Sequence, residues 1–545
     1  MIESQDRMRI WLWPLLLGAV LGLGLLAGQY LSRNHTASAQ QVGIQGAYDK
    51  IQDVLNYISN AYVDTVNPAR LSEDAIVALL TELDPHSVFI PAEDYHTMND
   101  PLLGKFEGIG VQFNMQEDTI MVLHVIPGGP SEKAGLQDGD RIVKVDGETV
   151  AGKNLSTMDV MRLLKGDKGS IVELDIARRG FEDLIPFTIV RDVIPTYSID
   201  ISFMPEAGIG YIRLSRFSMT TVKEFSSALD KLMDEGMEKL ILDLRGNSGG
   251  YLDAAIALAD ELLEAGKLIV YTEGRARPKR FFYATEKGRF KNQELCILID
   301  EGSASASEIV AGAVQDNDRG MILGRRSFGK GLVQEQLNFP DGSGVRLTVA
   351  RYYTPTGRSI QRPYENGSRE YHADLMARFH GGEMSNPDSI HNVDSLQYVT
   401  PEGKIVYGGG GISPDVFVGL EQDERYRYYN QLVQRGLIYR FAFQYTDKER
   451  PRLLEFGDHQ AFTSRFQIRD ALFNDFLEFC RKEGLEVDPE GLDFGRERIK
   501  GLMKAYIARN VYGDEGFYPI YLKMDTVYLK ALEMIMDPKS EDSSV

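Results

Sequence analysis

Cysteine is nearly absent: Cys296 and Cys480 are the two in 545 residues. That excludes a disulfide framework. Neither has a Cys or His at ligand spacing, so a cysteine-rich zinc module is excluded as well. An excess of positive charge is also missing. With 80 acidic against 60 basic residues the chain carries a net charge of −20, which argues against a nucleic-acid binder, since phosphate recognition needs a basic face. There are no internal repeats. The 43% apolar and 26% charged content is that of ordinary globular protein, which excludes wholesale disorder, collagen and coiled coil.

One long apolar run stands out. Ile10 to Gly28 carries no charge and is just long enough to span a bilayer as a helix. Arg7 and Arg9 precede it and only Arg33 follows closely, so the positive-inside rule puts the short N-terminus in the cytoplasm and the rest outside. Ala37-Ser38-Ala39 has the small-x-small form of a signal-peptidase site, but it lies about eleven residues past the run, further than such sites usually sit. The expectation is an uncleaved membrane anchor with the bulk of the chain in the periplasm or an equivalent exported space. The rival is a cleaved signal peptide and a soluble periplasmic protein.

At roughly one domain per ~150 residues the length predicts three or four domains. Residues 1–40 are the anchor and a polar tether. Residues 41–101 read as helical, with apolar residues at helical spacing from Tyr48 to Leu83 and a stop at Asp84-Pro85. Residues 102–183 switch to short β-branched runs (Ile120–Val125, Arg141–Val145, Val172–Ala177) between glycine-rich turns, with a helix over Leu155–Leu164. Residues 184–420 alternate strands and helices as an α/β core, with an irregular polar insertion at 364–407. Residues 421–545 predict a separate helical domain whose role is open, with a disordered tail at Pro538–Val545.

Three strings carry chemistry. Gly324 to Gly331 nearly fits a phosphate-binding P-loop, but Gly331 stands where a hydroxyl should hold magnesium, and Leu332–Leu337 alternates like a strand rather than opening a helix. Gly246-Asn247-Ser248-Gly249-Gly250 fits a nucleophile elbow between a strand and a helix, which makes Ser248 one candidate nucleophile. The same glycines would also let backbone N–H groups face a developing oxyanion. Gly302 to Gly312 is a run of small residues leading into a helix. Within it Ser305-x-x-Glu308 has the form of a capping box, so Ser305 either caps the helix or, with the N–H of Ala306 beside it, serves as a nucleophile. A base is then needed, and Lys330 between two glycines is a candidate if it is desolvated enough to lose its proton. Gln334 lies four residues on, at a spacing that returns it to the same face of a strand and lets its amide orient the lysine.

Taken together, Ser-Ala-Ser-Ala-Ser-Glu-Ile at 303–309, Phe-Gly-Lys-Gly-x-Val-Gln at 328–334 and Asp-Leu-Arg-Gly-Asn-Ser-Gly-Gly at 243–250 closely resemble the carboxyl-terminal processing (tail-specific) peptidases. The resemblance spans about 45–420 and includes Leu83-Asp84-Pro85-His86-Ser87 and Gly411-Ile412-Ser413-Pro414-Asp415. It implies a multidomain α+β protein with a PDZ domain at 102–183 and a crotonase-like α/β protease core. It implies a Ser-Lys dyad with Ser305 as nucleophile, Lys330 as general base and Gln334 as its support. Gly249 or Gly250, with Ala306, would form the oxyanion hole. Gly108-Ile109-Gly110-Val111 stands where PDZ domains bind a chain-terminal carboxylate while the peptide adds as a strand. The implied partners are protein or peptide substrates taken by their C-termini, the membrane through the N-terminal helix, and an adaptor or a second copy of the chain; no nucleic acid, metal or cofactor is implied. Two other readings stay open: a PDZ scaffold on a dead protease-like core, and an α/β hydrolase using Ser248.

Overall fold

The computed structural model describes residues 39–116, 118–390 and 394–537. The apolar run Ile10–Gly28, the tether up to Ala37-Ser38 and the tail Pro538–Val545 lie outside the described residues. Within them no helix is long and apolar enough to cross a membrane.

The two helices expected near the start are Ala39–Ala61 and Pro68–Thr81. Proline opens the second, where its missing N–H costs nothing, and Asn67 Oδ1 accepts the N–H groups of Ala69 and Arg70 at 3.0 and 3.3 Å.

The α/β core is built on a six-stranded sheet in the order Ile199–Glu206, Ile209–Leu214, Lys239–Asp243, Glu294–Ile299, Met321–Gly324, Val416–Phe417. The first pair is antiparallel and the rest are parallel. Its strands are nearly continuous apolar runs, the pattern of a sheet buried on both faces. Alternation then sorts their side chains. Ile212, Leu214, Leu240, Leu242, Leu295, Ile297 and Ile299 enter one core with the helices Thr221–Asp234, Leu252–Leu262 and Ala306–Asp316. Ile209, Tyr211, Ile241, Cys296 and Leu298 point the other way, into a core shared with Leu437, Phe476, Ile499, Met503 and Tyr528 of the C-terminal helices. The helical region expected beyond 421 is present, but it is not a separate body. It is the second helical layer of this sheet, because period-2 alternation leaves half of each buried strand's apolar side chains needing cover.

A buried charge cluster ties that layer down. Asp243 is fully buried and accepts from Tyr211 Oη at 2.7 Å, Arg213 Nη1 at 2.8 Å and Arg245 Nη2 at 2.7 Å. Arg245 continues to Asp525 of the C-terminal layer at 2.8 and 2.9 Å. Burial alone would raise the Asp243 carboxyl, but Arg245 and Arg213 hold it well below the usual carboxylate range.

A second, five-stranded sheet centres on Gly344–Tyr353, which pairs with Val88–Ile90, Leu268–Gly274 and Leu332–Asn338, while Arg277–Tyr283 pairs with Leu268–Gly274. The stretch 364–407, expected to be irregular, contains the helix Ser368–His380 and the hairpin Gln397–Val399/Ile405–Tyr407. That helix buries Tyr371 and Arg378 rather than aliphatic residues, so it left no apolar period to read. Arg378 donates to the carbonyls of Ser327 at 3.0 Å and Arg326 at 2.7 Å, bracing the loop that leads to Lys330.

The smaller sheet has the order Val111–Gln116, Thr119–Val125, Arg141–Val145, Ile171–Ala177, Ile185–Val190. Its last strand extends past the boundary expected at 183. Lys105–Gly108 and Asp192–Pro195 pair antiparallel where the chain enters and leaves this sheet. The C-terminal layer also touches it: Arg179 Nη1 donates to Asp447 O at 2.9 Å, and Arg450 lies 3.7 Å from Asp138.

Candidate active site

The strand Glu294–Ile299 ends in a turn that delivers three serines, and the structure separates their roles. Ser303 and Ser307 are fully buried and donate to Leu244 O and Asn247 O, each at 2.8 Å, which stitches this turn to the glycine loop 246–250. Ser305 alone of the three lines a cavity of about 640 Å3, and it does so with φ +54°, a conformation a non-glycine residue adopts only when its surroundings impose it. The helix Ala306–Asp316 starts at the next residue, so its unpaired N–H groups and positive end face the same place.

The capping-box pattern is present, but its acid does more than cap. Glu308 is fully buried and accepts the N–H of Ser305 at 2.7 Å, Gly329 at 2.7 Å and Lys330 at 2.9 Å, together with the Ser327 hydroxyl. Burial pushes its carboxyl up to about 7 against the pull of these four donors. Tyr352 Oη bridges from the other side, within hydrogen-bond reach of the carbonyls of Ser305 (3.0 Å) and Lys330. One carboxylate and one phenol therefore hold the backbones of Ser305 and Lys330 together across 25 residues of chain.

Lys330 Nζ donates to Gln334 Oε1 at 3.0 Å. Among the described residues it makes no ion pair, and burial first, then the charge of Arg346, lowers its pKa from 10.5. The lysine–glutamine contact does not come from strand alternation, because the strand begins only at Leu332; the turn through Gly329–Gly331 makes it. Gln334 Nε2 donates in turn to His86 O. Asp84 shapes that turn, accepting His86 N–H at 2.8 Å, Ser87 N–H at 2.9 Å and the Ser87 hydroxyl at 2.6 Å. His86 Nε2 sits 2.8 Å from Tyr371 Oη, and burial with the Lys330 charge lowers its pKa to about 4. No hydrogen bond joins the Ser305 hydroxyl to Lys330 Nζ among the described residues.

Gly249 packs against the turn that carries Ser305: a Cβ there would lie 2.7 Å from Ala304 O and 2.8 Å from Ser305 Cβ, at φ +99°. Its N–H is donated to Asn247 Oδ1 at 2.9 Å, whereas the N–H groups of Gly250 and Ala306 have no partner among the described residues. Ser248 is exposed on the same cavity, which no histidine lines. Among the described residues no group of three or more His, Cys, Asp or Glu side chains is placed to hold a metal ion.

In the smaller sheet, Val111–Gln116 is an edge strand. The loop before it is held by Ser131, whose N–H and hydroxyl both donate to Ile109 O at 3.0 and 2.7 Å. Gly110 has φ +78°, and a Cβ there would lie 2.9 Å from Ile194 Cδ1. The N–H of Gly110 has no partner among the described residues, and Gly108 forms an antiparallel bridge with Lys165. Val160 and Leu164 of the helix Thr157–Leu164 share an apolar core with Ile109, and Val111 and Phe113 pack against it. Gly108 ends the preceding strand and is buried.

Sequence reasoning treated Glu308 as a cap only and did not see Tyr352, Asp84, His86 or Arg346 as parts of the site. A fully buried acid has a partner to find, but which partner is not written in local sequence.

Residues 208–365 match peptidase family S41, residues 121–178 match the PDZ domain, and residues 428–513 match a family of unknown function. The carboxy-terminal-processing protease of Bartonella bacilliformis is 36% identical over 347 residues, which cover 62% of this chain and 79% of that one. The carboxy-terminal processing protease CtpA of Bacillus subtilis is 35% identical over 316 residues, 58% of this chain and 67% of that one. Among solved structures, the photosystem II D1 C-terminal processing protease is 29% identical, covers 67% of this chain and 85% of its own, and has a TM-score of 0.35. The chain belongs to peptidase family S41, among the PDZ-containing carboxy-terminal processing serine proteases.

Proposed function

We propose that the chain is an endopeptidase that cleaves exported proteins at or near their C-termini, with Ser305 as nucleophile and Lys330 as general base. The observation that carries this is the state of Lys330: buried, its pKa lowered and its amine held, among the described residues, by no carboxylate and only by the neutral Gln334 amide. That is a lysine prepared to be neutral, its backbone held by the same Glu308 and Tyr352 as that of a serine on a strained turn at a helix N-terminus. Lys330 leaves Gln334 to reach the hydroxyl and takes its proton as Ser305 Oγ attacks the scissile carbonyl. The oxyanion rests on the N–H groups of Ala306 and Gly250, while Gly249 serves by its close approach. Protonated Lys330 then gives its proton to the leaving amine, and a water deprotonated by the same lysine hydrolyses the acyl-enzyme.

The PDZ domain takes the substrate's C-terminus: the carboxylate on the N–H groups of Gly108–Val111, chiefly Gly110, and the peptide as an added strand on Val111–Gln116. The run Ile10–Gly28 anchors the protein, with Arg7 and Arg9 on the cytoplasmic side and the catalytic part exported.

The test uses the full chain in detergent and an unfolded protein with an apolar C-terminus. Ser305→Ala and Lys330→Ala should each lower kcat by roughly 10⁴-fold or more, Ser248→Ala should leave it near wild type, and amidation of the substrate should raise KM. Loss of cleavage with Ser248→Ala but not Ser305→Ala would make the elbow serine the nucleophile. Near wild-type turnover by Lys330→Ala would sink the dyad.

A further inference from the structure

The cavity beside Ser305 is lined largely by apolar side chains, among them Leu102, Leu103, Leu252 and Val333, yet it holds one arginine, Arg346. Several other sequestered arginines of this chain face carboxylates at short range, Arg245 with Asp243 at 2.7 Å, Arg358 with Asp316 at 2.6 Å and Arg326 with Glu383 at 2.6 Å, while Arg191 and Arg319 spend their N–H groups on backbone carbonyls. Among the described residues Arg346 has neither a carboxylate nor a carbonyl partner. Its Nη2 donates to two neutral amides, Asn99 Oδ1 at 3.2 Å and Gln336 Oε1 at 3.1 Å. Nε and Nη1 donate to no protein atom among the described residues, and neither is among the buried unpaired atoms, so they remain accessible. Asp253 lines the same cavity but is exposed and forms no ion pair with Arg346. Burial lowers the Arg346 pKa, so the unpaired charge carries a desolvation cost that a counter-ion would relieve.

A guanidinium fixed through Nη2, with Nε and Nη1 free in a substrate-sized cavity beside Ser305, can give a charge-assisted hydrogen bond to a carboxylate. We propose that Arg346 binds a carboxylate of the polypeptide substrate close to the scissile bond and thereby sets cleavage-site preference. The proposal rests on the assignment of Ser305 above. The carboxylate is either an Asp or Glu side chain near the cut or the terminal carboxylate of a substrate cut close to its end. It is distinct from capture on the PDZ loop, which lies in a different sheet.

The experiment uses the full chain in detergent and matched peptides that carry Glu or Gln at each position within two residues of the scissile bond, each as free acid and as amide. Wild type should favour Glu at one position, or the free acid, by roughly 10- to 100-fold in kcat/KM. Arg346→Gln should bring that ratio to about one, and Arg346→Lys should keep part of it. Because Arg346 also acts on Lys330, the variant's absolute rate and pH profile will shift, but a ratio between two peptides at one pH is blind to that shift. The same peptide pairs are titrated onto Ser305→Ala with and without Arg346→Gln, and the acid preference in binding should vanish with the arginine. A preference that survives Arg346→Gln, or a wild type with none, overturns the proposal. Cleavage by Ser305→Ala would instead overturn the catalytic assignment, and the binding ratio would still decide Arg346.

Discussion

The two faces of the six-stranded sheet bury similar kinds of side chain but hold them by different means. On one face the covering helices come from between the strands, and the chain there carries its function in short glycine- and serine-rich turns: 246–250, 302–306 and 328–331. On the other face the cover comes from the end of the chain, and it is locked on by a buried ionic relay, Asp243 to Arg245 to Asp525. Asp243 and Arg245 belong to the same motif, Asp-Leu-Arg-Gly-Asn-Ser-Gly-Gly, that forms the glycine loop beside Ser305. One string thus supports the catalytic turn on its glycine side and anchors the second layer with its charges. A segment that looks appended is, by packing, part of the enzyme.

That contrast can be broken most severely by removing residues 421–545. Ile241, Cys296 and Leu298 would lose their cover, and the shortened chain should fail to give a cooperative unfolding transition; a folded, active remainder would mean the layer is dispensable. Next in size is Asp525→Ala, which leaves Arg245 and Asp243 buried with one charge unpaired and should destabilise by about 3–5 kcal/mol in chemical denaturation. On the catalytic face, Gly249→Ala would drive a Cβ into Ala304 O and Ser305 Cβ. It should lower kcat by roughly 10²-fold through misplacement of the nucleophile, with a smaller effect on KM. The pH profile should move less. Because the Lys330 pKa is lowered from 10.5 by burial and Arg346, the charged amine is the disfavoured form, and kcat/KM should rise with pH to an inflection below 10.5. Arg346→Gln should carry that inflection upward. The smallest effect belongs to Glu335→Ala, whose partner Arg277 is as exposed as itself; the unfolding midpoint should not change measurably.

The core strands were legible because apolar runs bounded by glycine need no partner to be recognised. Arg141–Val145 begins and ends as its sequence pattern predicts. The helix Ser368–His380 was not legible, because its buried face is a tyrosine that meets His86, 285 residues away, and an arginine that donates to carbonyls some 50 residues away in sequence. Ser305, Lys330 and Gln334 could be named from their motifs, but the choice among Ser303, Ser305 and Ser307 became physical only when two of them were seen spent on Leu244 and Asn247.

By itself the sequence determined local matters: which stretches alternate with period two, where glycine permits a turn, which serine and lysine sit in family strings. These depend on neighbours a few residues apart, and a string records them. The tertiary structure alone decided that Glu308 and Tyr352 hold the Ser305 and Lys330 segments together, that the Gly249 N–H is turned to Asn247, that the C-terminal helices complete the core of the larger sheet, and that Arg346 has no carboxylate partner among the described residues. Each of these is a statement about desolvation and pairing between residues distant in sequence, and burial, which sets the cost of leaving a charge or an N–H unpaired, exists only after the chain has folded.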